Sequence, residues 1–428
     1  MTTPAPPSPI LHVHKFLWDR GGLERYLFLL LDLLGARGHQ IVTLGMRDER
    51  NRAAADAAYE VGPVRFPERP GPGNALAAAR GLGRALYSRE AYRRTRQLIA
   101  ETRPQVAHVH ELHHHLSPSV LVALREAGVP VVLSAHEYKL VCPTVHLFDG
   151  ERVCEACRGH RYWQPVLRRC SQGSLVRSLG AAAEATLHHR LGLYDERHVH
   201  VITGGSAFTL AKLREFGVDG GRLESLPYVL PPEQLREPPH DPGRYFLFVG
   251  RLVPYKGAAT FVRALRLAGD PEAVIAGRGP QREELERLAA DLGLRRLRFA
   301  GFVPDAELPD LVQGAIAAVV PSEVFETFGY AAYEAMAVGR PVVASRIGPL
   351  PELIQHGETG LLFDPGDPEG LAMRLSLLNK DRDRAHRMGR AARAFVEERN
   401  DVDRHYERLL QIYRRAKERS SSAPGAVR

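Results

Sequence analysis

Residues 321–345 read PSEVFETFGYAAYEAMAVGRPVVAS, and their residue types set strand, loop, helix, turn and strand in succession. The apolar run Ile316–Val320 ends at Pro321, the loop carries Glu326, and a helix begins near Phe328, Gly329 and Tyr330. Glu334 rides on that helix, Gly339-Arg340-Pro341 ends it, and the next strand covers Pro341–Ala344. Free N–H groups and the positive end of the helix dipole favour a phosphate at such a helix start, where Gly329 lets backbone approach closely. A strand that returns through a helix to a second strand argues for a parallel sheet covered by crossover helices, and so for an α/β class.

The same alternation extends outward in both directions. Downstream of residue 243 it predicts strands at Tyr245–Val249, Ala273–Ala276 and Leu297–Ala300. In the first half it predicts Ile10–His14, Ile41–Leu44, Val106–Val109, Val131–Leu133 and His198–Ile202, with a helical stripe of Leu23, Leu27, Leu30, Leu31 and Leu34. Between the halves, residues 227–242 read PYVLPPEQLREPPHDP, dense in proline and without periodicity, which marks a linker. A chain of 428 residues is also too long for one ordinary core. The expectation is two doubly wound domains, 1–235 and 236–400, with a helix at about 401–419 packing back on the first and a disordered polar tail at 420–428.

Charge narrows the partners. The net +8 comes mainly from arginine, with clusters at Arg89–Arg103 and Arg158–Arg177, which either draw anionic lipid headgroups or an acidic acceptor by a screened field or simply cover solvated helix faces. Nucleic acid answers the same field, but the basic residues are not interleaved with aromatics and aromatic content is only 7%, so stacking platforms are missing. Met1–Pro9 has no basic or apolar signal region and no run reaches membrane-span length, so the expected location is cytoplasmic, with contact to the cytoplasmic membrane face.

Further motifs fall after predicted strands, where doubly wound folds bind ligands. GRLVPYKG at 250–257 offers Arg251 and Lys256, two cations able to neutralise charge on a departing diphosphate. AGRGP at 276–280 supplies the turn glycine Gly277, and WDRGGLERYL at 18–27 places Gly21 and Gly22 between the first strand and its helix. The latter falls short of G-x-G-x-x-G, which argues against a nicotinamide site. SAHEYKLVCP at 134–143 brings His136 to a strand end, and HVHELHHH at 108–115 brings His110. The histidine run invites a metal, but it is set aside because no fixed carboxylate partner or familiar ligand spacing accompanies it. Cys142, Cys154, Cys157 and Cys170 fall within one short insertion with a C-x2-C pair, which in a reducing compartment suggests a structural zinc site, with packed free thiols as the alternative.

G-R-L-x4-G with Lys256 and E-x7-E from Glu326 to Glu334 resemble the retaining nucleotide-sugar glycosyltransferases of family 4 over nearly the whole chain. The resemblance implies a GT-B fold, in which two Rossmann-like domains face a cleft. It implies that Arg251 and Lys256 contact the donor diphosphate, that Glu326 with Phe328 and Gly329 holds the transferred sugar, and that Glu334 bonds the ribose. Tyr330, Gly277, Gly21 and Gly22 complete the implied donor site. His136 stands in a segment similar to the family's H-D-Y-x3-C-P, with Glu137 where Asp is usual, and is expected to orient sugar hydroxyls rather than act as base. His110 matches a strand-end H-x-H loop of the family. The implied reaction moves a hexose-type sugar from a UDP- or GDP-linked donor to a lipid-linked or cell-surface glycan acceptor of the bacterial envelope, without a catalytic metal. The Cys-rich insertion resembles an acceptor-side lid. Two departures, Pro227-Tyr228-Val229 without the frequent Asn and Gly348-Pro349-Leu350-Pro351-Glu352 without the second Gly, bear on sugar identity. Competing readings are another GT-B enzyme, such as a phosphorylase or epimerase, and a zinc-bearing basic nucleic-acid-binding protein. The first lacks a segment suggesting a pyridoxal-linked lysine, and the second leaves E-x7-E unexplained.

Overall fold

The computed structural model describes residues 7–52, 55–65 and 72–422; the start of the proline-rich stretch (1–6) and the end of the polar tail (423–428) lie outside them. The chain divides into two compact units, Met1–Asp149 with Glu155–Tyr228 and Asp403–Arg428, and Gly150–Cys154 with Val229–Val402. Each unit is built on one parallel sheet, and the division falls at the start of the proline-dense linker.

The first sheet holds β1 (Ile10–Val13), β2 (Ile41–Met46), β3 (Ala57–Val61), β4 (Val106–Val109), β5 (Val131–Ser134), β6 (Val201–Gly204) and β7 (Leu223–Ser225). Their spatial order is β3-β2-β1-β4-β5-β6-β7. β1 is central, in register with Ile41 on one side and Val106 on the other at Ile10, and all four of its residues are buried. Burial on both faces is why it reads as a near-continuous apolar run rather than an alternating one.

The second sheet holds β8 (Tyr245–Val249), β9 (Ala273–Ala276), β10 (Leu297–Gly301), β11 (Ala315–Val320), β12 (Val342–Ser345) and β13 (Gly360–Phe363), in the order β10-β9-β8-β11-β12-β13. Counted within its own unit this is 3-2-1-4-5-6, the dinucleotide-fold order, whose crevice opens where the strand order reverses. Here the reversal lies between β8 and β11, and in the first unit between β1 and β4. Phe246, Phe248, Phe261, Ile275, Phe363 and Leu371 pack one continuous core around the second sheet.

Several elements differ from the sequence expectation. β3, β7 and β13 are sheet edges that periodicity did not mark; β3 is half exposed along its length and β7 has only three residues, so neither carries the continuous apolar signature of a central strand. β6 starts at Val201 rather than His198, because His198 and His200 turn to cap neighbouring backbone and carboxylate groups. The last helix spans Val402–Ser422, so residues 420–422, expected to be disordered, continue it. It is held in the first unit by buried polar contacts: Tyr413 Oη lies 2.9 Å from His108 Nδ1, His405 Nε2 lies 3.1 Å from Tyr26 Oη, and Arg408 bonds Glu224 at 2.7 Å. Among the described residues no helix is long and apolar enough to cross a membrane.

Candidate active site

In the second unit the expected donor residues gather at the carboxyl ends of β8, β9 and β11. Glycine makes this gathering possible at two positions. At Gly257, φ 71°, an added Cβ would sit 1.8 Å from the Pro321 carbonyl oxygen. At Gly277, φ 149°, it would sit 1.8 Å from the Gly250 carbonyl oxygen. Only glycine permits either the conformation or the approach, so the three post-strand loops are drawn into backbone contact. Tyr255 accepts the Glu323 N–H at 2.9 Å and stitches the loops further.

That contact brings Lys256 Nζ within 2.6 Å of Glu326 Oε1, and Ser322 donates to the same oxygen at 2.6 Å. Burial works to raise the Glu326 carboxyl, but the Lys256 charge and hydrogen bond, Ser322 and the Arg251 charge outweigh it and hold the group below its ordinary range. Glu326 is therefore a fixed carboxylate at neutral pH. Arg251 donates to the Tyr255 hydroxyl at 3.0 Å. Gly348 abuts the backbone of Glu326, an added Cβ meeting its N at 3.2 Å, so the departure at 348–352 begins against the backbone that carries this carboxylate.

Gly329 takes φ 95° as the N-cap of the helix Tyr330–Ala337. The Phe328 ring is buried edge-on against Tyr333 with centroids 5.3 Å apart, which leaves the backbone of 328–329 as the group at the helix start. Tyr330 and Glu334 follow one turn apart on that helix, both half-buried. Ser322 and Tyr255 were not anticipated; a serine and a tyrosine in polar loops carry no spacing signal.

In the first unit the corresponding loops follow β1, β4 and β5. Gly21 caps the helix Gly22–Ala36 with extended backbone, and an added Cβ would meet nothing within 4 Å, so packing inside the unit does not demand glycine there. Behind this loop lies a chain of imidazoles. His12 Nδ1 is 3.2 Å from His110 Nε2, His110 Nδ1 is 2.9 Å from His136 Nε2, and His136 Nδ1 bonds the Tyr228 hydroxyl. Tyr228, in the linker departure, stacks on Tyr26 at 4.3 Å. Burial pushes His12, His108, His110 and His136 well below the ordinary imidazole value, so all are neutral at pH 7. His136 thus stands at the strand end as expected, in a form unable to carry charge, with both ring nitrogens engaged inside the unit.

His12, His108 and His110 also form a group of three potential metal ligands. Both His108 nitrogens are taken, by the Tyr413 hydroxyl at 2.9 Å and the Ser134 hydroxyl at 2.7 Å, while His12 Nε2 is buried without a hydrogen-bond partner. None of the four cysteines is in a disulfide; Cys142 and Cys157 are buried, Cys154 and Cys170 half-buried. Cys142 and Cys157 both face Tyr162, whose hydroxyl is pushed up to about 12 by burial and by these two sulfurs.

Comparison with known proteins follows this geometry. Residues 20–234, half of the chain, match the family described as Glycosyltransferase Family 4, and residues 232–395 match Glycosyl transferases group 1. A D-inositol 3-phosphate glycosyltransferase of Thermomonospora curvata is 32% identical, covering 77% of each chain. A D-rhamnosyltransferase of Pseudomonas aeruginosa is 39% identical over 35% of this chain and 40% of its own, and the first three curated relatives are matched over only 35–40% of their length. Among solved structures, Anabaena HepE in complex with UDP and glucose superposes with a TM-score of 0.64 at 19% identity, covering 94% of this chain and 98% of that one, a likeness of fold. With a family match over half its length, a relative 32% identical across three quarters of both chains, and two Rossmann-like domains of the GT-B kind, the chain belongs to glycosyltransferase family 4.

Proposed function

We propose that this chain transfers a hexose-type sugar from a UDP- or GDP-linked donor, with retention of anomeric configuration, to an anionic lipid-linked or cell-surface glycan acceptor. The observation that carries the reading is the carboxylate of Glu326 fixed between Lys256 and Ser322 beside Arg251, at the strand-order reversal of a dinucleotide-type sheet. Cations and a helix start suit a diphosphate, and a locked carboxylate suits paired sugar hydroxyls. In the reaction the C1–oxygen bond to the diphosphate breaks and a C1–oxygen bond to the acceptor forms on the same face. The acceptor proton passes to a donor phosphate oxygen, and Arg251 and Lys256 take up the charge on the leaving nucleoside diphosphate. His136, neutral and with both ring nitrogens bonded to His110 and Tyr228, does not act as base. Named partners of similar proteins, UDP and glucose for HepE and inositol 3-phosphate for the Thermomonospora enzyme, support a nucleotide-sugar donor and an anionic acceptor.

Membrane contact belongs to the same proposal. The helix Leu175–Arg190 turns Val176, Leu179 and Leu187 outward while Glu184 and His188 are buried, the reverse of an ordinary surface helix. Trp163 and Leu167, on and beside the adjoining helix Gln164–Arg168, are 55% and 71% exposed, and Arg161, Arg168, Arg169 and Arg190 are exposed around them. An apolar face ringed by arginine fits the surface of an anionic bilayer.

Calorimetry with UDP-, GDP- and ADP-sugars, repeated on Glu326→Ala, tests the donor reading. Binding of at least one donor, weakened in the variant, is expected, and no binding to any of them would sink it. Cosedimentation with phosphatidylglycerol vesicles, lost in Leu179→Glu, tests the membrane face.

A further inference from the structure

We propose that Glu111, His113 and Glu137 form a binding site for one divalent first-row metal ion. Glu111 and His113 stand in the segment after β4 and Glu137 in the segment after β5, so the group is assembled by adjacent strands and not by sequence spacing. One ligand atom from each lies within 4.8 Å of the other two. Ligands bound at about 2.1 Å to a common ion lie about 3.0–3.5 Å apart around it, so the His113 imidazole and the Glu137 carboxylate, now in direct contact, part to admit the ion.

The polar atoms are ready for such an ion. Glu111 and His113 are 9% and 7% exposed. His113 Nε2 faces Glu137 Oε1, yet neither atom has a partner in hydrogen-bond geometry. A buried nitrogen and a buried carboxylate oxygen left in that condition are costly unless something binds them. Lys15 Nζ lies 2.8 Å from Glu111, and its charge also acts on Glu137. One imidazole with two carboxylates suits Mn2+, Fe2+ or Zn2+ better than Mg2+ or Ca2+, which take all-oxygen sets. The ion would tie together the segments following β4 and β5.

The test uses Mn2+, for which thiolates compete poorly, with the full chain and detection by electron paramagnetic resonance. The expected result is about one Mn2+ per chain, with a nitrogen coupling from a directly bound imidazole in the native protein. Glu137→Gln and His113→Gln should each weaken binding by about tenfold or more, while the double replacement Cys154→Ser, Cys157→Ser leaves it unchanged. Failure of the native protein to retain Mn2+, bound Mn2+ without nitrogen coupling, or binding that follows the cysteines would overturn the proposal. The coupling is read on the native chain and does not depend on either variant folding.

Discussion

Replacing Lys256 by methionine should reverse the pH dependence of the second unit's stability. Lys256 and Glu326 are 25% and 17% exposed at the side chain and 2.6 Å apart. Breaking a fully buried pair costs about 3–5 kcal/mol; partial exposure and the hydrogen bond remaining from Ser322 reduce this to about 2–3 kcal/mol. In the native protein the Glu326 carboxyl is held below its ordinary value of 4.5. Its contribution is therefore fully present above that value and lost as pH falls through the folded one. With the cation gone, burial dominates and pushes the carboxyl up, so the variant should gain stability as pH falls from 7 toward 5. Trp18 and Trp163 both lie in the first unit, so tryptophan fluorescence does not report on this change. Hydrogen exchange of the β8 and β11 amides does, and at pH 7 should accelerate about 30- to 150-fold. Adding Glu326→Gln should recover at least half of the loss. Acceleration below about fivefold, or a double variant as weak as the single, would refute the coupling.

Gly277→Ala should slow or abolish donor binding by more than about tenfold in calorimetry, because its Cβ would collide with the Gly250 carbonyl oxygen and part the β8 and β9 loops; unchanged affinity would show that the loops move freely. The first unit should lose stability as pH falls below 6.5, since His12, His108, His110, His136 and His405 are neutral when folded and charge when unfolded. Each adds a slope of up to about 1.4 kcal/mol per pH unit, and flat exchange of the β4 and β5 amides between pH 6.5 and 5 would contradict it. His136→Phe removes the hydrogen bonds that the Tyr228 hydroxyl and His110 Nδ1 make to this ring and should destabilise the first unit by about 1–3 kcal/mol in the same measurement. Proton NMR of the glycoside product should show the anomeric configuration of the donor; inversion would remove the proposed same-face attack.

The central strands and the loops at their carboxyl ends were legible because their signals are local. β1, β8 and β11 are largely covered on both faces and are nearly continuous apolar runs, and the turns at Gly257, Gly277 and Gly329 need φ values that favour glycine whatever surrounds them. Arg251, Lys256 and Glu326 could be named for the same reason, each fixed to a strand end by a few residues of chain. What each of these side chains faces is a different kind of fact. That Ser322 and Lys256 share one oxygen of Glu326, that Tyr228 closes the imidazole chain through His136, and that Glu137 meets His113 all depend on neighbouring strands placing distant residues at hydrogen-bond range. The histidine run shows no fixed carboxylate partner in the sequence, and β5, lying next to β4, brings Glu137 against His113. Edge strands and the outward apolar face of Leu175–Arg190 escaped for a related cause, since burial there is settled by which neighbours the fold supplies. Local sequence determines backbone conformation and the faces of central elements; the pairing of polar groups across strands is decided only when tertiary packing removes them from water.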